Sequence, residues 1–219
     1  MTSNQVSDRT DPGVFSELVD KARLGLPSGQ RPAPGPEALK ALRSYCTLML
    51  QWNKAINVTG ADSTKALVLE HLPDSLALAE VIPSNARVID VGSGGGLPAI
   101  ALKILRPDLV LTMVEPRAKR VSFLRTALRD AGIAATIIPD RLAETPQPEL
   151  LGKFDAAISR ATFAPARWIE LGLTLVRPQG LVMALISDND TVNDVAGEPW
   201  PYKLTDGRER VLRIVQRST

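Results

Sequence analysis

From Arg87 to Val91 the chain is mostly apolar, then reads Gly92-Ser93-Gly94-Gly95-Gly96, then resumes at helical spacing from Leu97 to Leu105. This order of strand, glycine turn and helix constrains the fold more than any other feature. A strand that passes straight into a helix belongs to a crossover unit, and crossovers join parallel strands. The same alternation continues downstream. Leu109–Val114, Ala135–Ile138, Phe154–Ile158 and Leu181–Ile186 read as strands, with Arg117–Ala131 and Pro165–Val176 as helices between them. These strands are apolar on both faces, the pattern of a sheet covered on both sides. The implied class is α/β, with a Rossmann-like, mainly parallel sheet. Near the end, Tyr202–Leu204 and Val211–Gln216 flank Thr205-Asp206-Gly207, which signals a hairpin.

The first 85 residues are different: they read as helices. Val14–Leu24 is a short amphipathic stretch, and Leu26–Pro36 carries four prolines, which neither a helix nor a central strand tolerates. Pro36 can open a helix running to about Trp52, with Leu39, Leu42, Cys46, Met49 and Trp52 on one stripe. A third helix starts near Ser63, and Pro73 must kink or split it. The expected organisation is a loosely ordered segment over 1–35, a helical cap over 36–82 and a core over 83–219.

Composition excludes several classes. The 219 residues hold 26 Lys and Arg against 24 Asp and Glu, a net charge of +2, too small to announce nucleic-acid binding by itself. One Cys and one His allow neither an internal disulfide nor a zinc site built from those ligands, so no metal is expected. No run approaches the roughly 18 apolar residues of a membrane span, and the polar start, Met1 to Asp11, lacks the apolar centre of a signal peptide. A monomer in a reducing cytosol is the expectation. Charge is unevenly spread. Seven basic residues (Lys103, Arg106, Arg117, Lys119, Arg120, Arg125, Arg129) face only Asp108 and Glu115 between 103 and 129, whereas 187–199 holds four acids and no base.

The glycine turn reads as a ligand site. Glycine opens backbone angles closed to other residues and lets a ligand approach the main chain. A hydride-transfer fingerprint would place a third glycine where Leu97 stands, and no Lys-Ser or Lys-Thr follows to make a phosphate loop. The pattern is instead GxGxG with Asp90 two residues upstream. Glu115, 23 residues beyond Gly92, closes the second strand, where an acid can accept hydrogen bonds from ribose hydroxyls. Arg160 ends a strand, a position that favours function over the plainer alternative of an ion pair with Asp155 or Asp90. Lys119 and Arg120 lie nearest the cofactor end of their helix and are candidates for phosphate contact. Asn53, Lys54 and Asn57 read equally as a capping turn, a lid or an RNA contact. His71 reads as a satisfied helix residue more readily than as a base, and Trp52 and Cys46 as core.

Four strings carry a family resemblance: Val88-Ile-Asp-Val-Gly-Ser-Gly-Gly-Gly-Leu-Pro-Ala-Ile100, Lys119-Arg-Val-Ser-Phe-Leu124, Ile158-Ser-Arg-Ala161 and Gln51-Trp-Asn-Lys-Ala-Ile-Asn-Val-Thr59. Together they resemble the GidB/RsmG family of class I S-adenosylmethionine-dependent methyltransferases, which methylate N7 of a guanine in 16S ribosomal RNA. The C-terminal stretch Leu204-Thr-Asp-Gly-Arg-Glu-Arg-Val-Leu-Arg-Ile-Val215 is similar too, so the likeness runs from about Pro36 to the end. It implies S-adenosylmethionine as cofactor and the small ribosomal subunit as partner. By position it assigns Gly92, Gly94 and Leu97 to the methionine end, and Glu115, Pro116 and Arg117 to ribose and adenine. Leu142 and Ala143, in the turn 141–144, would border the adenine through backbone groups. Arg160 would lie beside the cofactor and the RNA entrance, and is the expected catalytic, orienting residue. Apart from the resemblance, charge and position offer Lys119, Arg120, Arg141 and Asn53 as candidates for RNA contact. The chain departs from the family pattern at Glu70, at Ser187-Asp188 and in its short acidic stretch. Two other readings stay open here: a methyltransferase of a protein or small molecule, and an idle RNA-binding module on the same fold.

Overall fold

The computed structural model describes residues 10–27, 33–143, 146–160, 162–186 and 195–219. The elements run α1 (Pro12–Arg23), α2 (Pro36–Asn53), α3 (Thr64–Ala66), a π-helical turn (Leu67–His71), α4 (Leu72–Val81), β1 (Arg87–Val91), α5 (Ala99–Leu105), β2 (Val110–Val114), α6 (Ala118–Ala131), β3 (Thr136–Ile138), β4 (Phe154–Arg160), α7 (Pro165–Leu175), β5 (Val176–Ile186), β6 (Glu198–Lys203) and β7 (Glu209–Gln216). One sheet of seven strands has the order β3-β2-β1-β4-β5-β7-β6. The first five strands are parallel, and β7 runs antiparallel to β5 and β6. Strand order reverses between β1 and β4, the position where open α/β sheets gather ligands. In-register pairing of Val91 with Val114 and of Asp90 with Ile158 brings the carboxyl ends of β1, β2 and β4 to one edge.

Alternate residues of each strand feed two cores. Val88, Met113, Ala156, Ile158 and Met183 join one apolar cluster with the N-terminal helices, while Ile89, Val91, Val114, Ala157, Val182 and Ala184 join another with Trp168 and Leu175 of α7. This is the two-sided burial that the unbroken apolar strands require. Helix α1, inside the segment expected to be loosely ordered, is tied down. Asp11 caps its first backbone N–H groups, and Phe15, Val19 and Ala22 are buried in the same cluster as the sheet. Apolar spacing there outweighs nearness to the chain end. The expected frayed start and proline linker fall partly on 1–9 and 28–32, outside the described residues.

Pro73 splits the third helix as expected, with an added consequence. Proline has no N–H to give Leu69, so the helix widens upstream. Leu72 N–H bonds to the Leu67 carbonyl, five residues back, and a π-helical turn carries Leu67 to His71. Turns of this type recur at functional sites.

Candidate functional site

The β1–α5 turn is shaped from within. Gly92 and Ser93 donate their N–H groups to the Val114 carbonyl at 2.9 and 3.1 Å, locking the turn to the end of β2. Gly92 has φ +79°, and a Cβ there would lie 2.0 Å from Thr162 Oγ1, so only glycine fits. Glu115 is 2% exposed. Its Oε2 accepts from Gly94 N at 2.8 Å and its Oε1 from Arg117 N at 2.9 Å. The carboxylate thus holds both sides of the opening and keeps lone pairs for a ligand. Asp90, also buried, has Oδ2 without a hydrogen-bond partner among the described residues, and burial pushes its carboxyl up to about 7.

These residues border a cleft of about 370 Å³ lined by Gly92, Glu115, Pro116, Arg117, Arg120, Arg141, Leu142, Thr162 and Phe163 among others. Of the candidate positions named from the sequence, Gly92, Glu115, Pro116, Arg117, Arg120, Arg141 and Leu142 are therefore brought together. Gly94 reaches the site through its bond to Glu115. Leu97 packs against the core instead, and exposed Ala143 does not line the cleft. Glu144 lies outside the described residues, as does Ala161.

Arg160 pairs with neither Asp155 nor Asp90, the partners that a purely structural role would offer it. Asp155 is taken by the Arg87 N–H and the Arg177 guanidinium at the opposite sheet edge. Arg160 Nη1 donates instead to Asp74 Oδ2 at 3.0 Å and to His71 Nδ1 at 3.2 Å. Asp74 is 2% exposed and gathers two further donors on Oδ1: Tyr202 OH at 2.7 Å and Arg210 Nη1 at 2.6 Å. Four elements meet at this carboxylate, and nothing in local spacing marked Asp74, Tyr202 or Arg210. The one available signal was an acid in the first turn of a largely apolar helix, where an unpaired charge is costly once buried. The group borders a second cleft of about 610 Å³ lined by His71, Asp74, Arg160, Thr162, Phe163, Pro165, Leu185, Ile186, Tyr202 and Arg210 among others. Thr162 and Phe163 line both clefts and join them. Desolvation, then the Arg160 charge, lowers the His71 imidazole to about 4.

The RNA candidates divide. Lys119 is exposed on α6. Arg120 donates through Nε and Nη2 to the Asn57 carbonyl at 3.1 and 2.9 Å, clamping the 53–61 loop beside the glycine turn. Asn53 serves that same loop: its Oδ1 accepts from Val58 N and Thr59 N, and Nδ2 donates to the Ala61 carbonyl. The capping role therefore wins over an RNA contact for this side chain. Arg106 leaves the expected basic patch, being buried, bidentate to Asp108 and bonded to the carbonyls of Ala79, Ile82 and Pro83. Lys103 likewise bonds the Pro107 and Leu109 carbonyls. Cys46 is buried, and desolvation pushes its thiol up to about 12, so it is core. Trp52 packs edge-on to Phe123. Among the described residues no acid, His and Cys cluster could hold a metal, and no helix is long and apolar enough to cross a membrane.

Sheet order, glycine turn and anchored strand-end acid define the class I fold of S-adenosylmethionine-dependent methyltransferases. Solved structures agree. A SAM-dependent methyltransferase from Aquifex aeolicus superposes with a TM-score of 0.51 at 14% identity over 70% of this chain and 94% of the other. A tRNA methyltransferase from the same organism gives 0.52 at 13% identity, over 67% and 69%. Sequence narrows the class. The model of the GidB family, rRNA small subunit methyltransferase G, matches residues 38–196, and the chain belongs to that family. Ribosomal RNA small subunit methyltransferase G of Aromatoleum aromaticum is 35% identical over 84% of this chain and 92% of its own. Its namesake in Polynucleobacter asymbioticus is 34% identical over 75% and 78%.

Proposed function

We propose that this protein transfers a methyl group from S-adenosylmethionine to N7 of a guanine in 16S ribosomal RNA, within the small ribosomal subunit. One observation carries the reading in a chain of this family: two clefts joined through Thr162 and Phe163, one beside the glycine turn and Glu115, the other beside Arg160. The residues fit the cofactor. Gly92 lines the cleft without adding a side chain to it, Glu115 keeps lone pairs for ribose hydroxyls, and the buried Asp90 Oδ2 lacks a partner among the described residues. Pro116, Arg117 and Leu142 would flank the adenosine portion, with Gly94 toward the methionine portion.

When bound, the cofactor supplies an electrophilic methyl group on a sulfonium. The protein's part is placement. Guanine N7 carries an in-plane lone pair and loses no proton on attack, so a general base is unnecessary. The only histidine of the chain is held neutral and hydrogen-bonded by Arg160, which agrees with that chemistry. Arg160 would orient the base, and the joined clefts would exclude water from the line between donor and acceptor. Lys119 and the other exposed cations of α6 would meet phosphate. The test is to map N7-methylguanosine in 16S RNA from cells lacking this protein, then restore it with purified enzyme. Loss and recovery at one guanine support the reading; an unchanged map contradicts it.

A further inference from the structure

We infer that the second cleft is the target-base pocket, and that His71 and Arg160 recognise the C6 oxygen of the purine from its Hoogsteen side. This rests on the guanine reading above and names the residues that choose the base. The argument starts from hydrogen-bond bookkeeping. A guanidinium has five N–H donors and no acceptor. Arg160 Nη1 commits both of its hydrogens, one to Asp74 and one to His71 Nδ1, and the Nε and Nη2 donors make no hydrogen bond within the described residues. Because Nη1 can only donate, His71 Nδ1 must accept. A neutral imidazole that accepts at Nδ1 carries its proton at Nε2. That Nε2–H has no partner among the described residues. The groups that face His71 explain why it stays neutral: Arg160 and Arg210 disfavour a second positive charge, Asp74 and Glu70 oppose them less, and desolvation exceeds each.

The pair thus presents only uncommitted donors to the cleft. Guanine offers two acceptors on its Hoogsteen edge, N7 and O6, whereas adenine offers N7 and an N6 amino donor. N7 must stay free to attack, so discrimination falls on the C6 substituent. The free N–H groups of this pair meet O6 with hydrogen bonds and meet an amino group with donors facing donors. Phe163, Pro165, Leu185 and Ile186 supply an apolar wall for a flat base. Phe163 itself is fixed by stacking on Trp168, at 5.9 Å between centroids and 14° between planes. Asp74 is a positioning residue in this arrangement. With Arg160, Arg210 and Tyr202 all bonded to it, it fixes the guanidinium from the cap, the strand and the hairpin at once.

His71 is the only histidine, so its ring nitrogens give one unambiguous NMR signal set. Full-length protein saturated with S-adenosylhomocysteine is titrated with guanosine, inosine and adenosine monophosphates. Guanosine and inosine nucleotides, which share O6, should shift the Nε2–H resonance, and the adenosine nucleotide should not. Single-turnover methyl transfer to small ribosomal subunits is measured in parallel. His71→Ala should slow transfer by about ten- to a hundredfold. His71→Gln, which keeps a terminal amide donor, should recover part of the loss, and cofactor affinity should stay unchanged in both. An equal shift with adenosine monophosphate, no shift with any nucleotide, or His71→Ala at the wild-type rate overturns the pocket. Those results with wild-type protein still labelling guanine N7 would leave the proposed function standing. Wild-type protein that labels no guanine overturns both.

Discussion

The two clefts share Thr162 and Phe163 yet are built by opposite means. The cleft beside the glycine turn is mostly backbone and local sequence: a glycine turn, the carbonyl at the end of β2, and a Glu whose partners lie 21 and 2 residues away. The cleft beside Arg160 is side chains from distant elements, with Asp74 bonded to residues 86, 128 and 136 positions away. A backbone site tolerates changes in neighbouring side chains and fails when a Cβ intrudes. A side-chain site fails when one buried partner is removed. The comparison therefore predicts separable defects.

The largest effect should come from the first cleft. Gly94 has φ +56°, and a Cβ there meets nothing nearer than Arg120 Nη1 at 3.6 Å. Gly94→Val has room for its Cβ but needs a left-handed backbone that a branched residue resists. Titration calorimetry should show S-adenosylhomocysteine binding weakened on the order of a hundredfold, about 3 kcal/mol, with native circular dichroism. Binding at wild-type strength would break the claim that the turn's backbone is the site.

Next is Asp74→Asn. The amide keeps the shape and one acceptor, but two guanidinium groups lose their common carboxylate, a change that costs about 3–5 kcal/mol when a buried pair is broken outright. Methyl transfer should fall steeply and the melting temperature should drop, while cofactor affinity in the folded protein stays near wild type. Loss of both activities in equal measure would mean that the clefts are not separable.

Charge on α6 gives a smaller, graded effect. Lys119→Glu should flatten the salt dependence of subunit binding, by about one unit of slope for each phosphate no longer neutralised, without touching cofactor affinity. Arg120→Glu should disturb both, because Arg120 also lines the cleft beside the glycine turn and clamps Asn57. If the two variants behave alike, the division drawn along this helix is wrong.

The smallest effect concerns Asp90. Its folded carboxyl titrates near 7, above the ordinary value of 3.8, because burial disfavours the charge. The folded state therefore holds its proton more tightly than the unfolded chain, and stability from this group is present below about pH 4 and is lost as pH rises through 7. Asp90→Asn should flatten the decline in melting temperature between about pH 4 and 7. An unchanged slope would assign that decline to other groups.

The same contrast explains what could be read from the chain. The parallel sheet, the hairpin and the glycine turn were legible because each rests on spacing within a few residues. So was Glu115, which ends a strand at a set distance from the turn. Asp74, Tyr202 and Arg210 were not, since their meaning depends on the hairpin returning beside α4, which no local period encodes. Arg106 misled for a related reason: a cation at a helix end reads as surface, but here it satisfies three carbonyls under the cap. Helix α1 was legible as amphipathic, and its docking was not, because the surface it covers is assembled from α2, the π-helical turn and α4.

The central claim is methyl transfer to guanine N7 by placement, with no general base. The direct test is single-turnover transfer from labelled S-adenosylmethionine to small ribosomal subunits, from pH 6 to 9 at saturating cofactor. His71 is depressed from 6.5 to about 4 in the folded protein, so its neutral form is already complete at pH 6. Its contribution to stability is present above pH 6.5 and is lost as pH falls toward 4. The account predicts label at N7 of one guanine in 16S RNA and a chemical step that is flat across the range. Label on another atom or another RNA, or a steep acidic limb that His71→Ala abolishes, would contradict it.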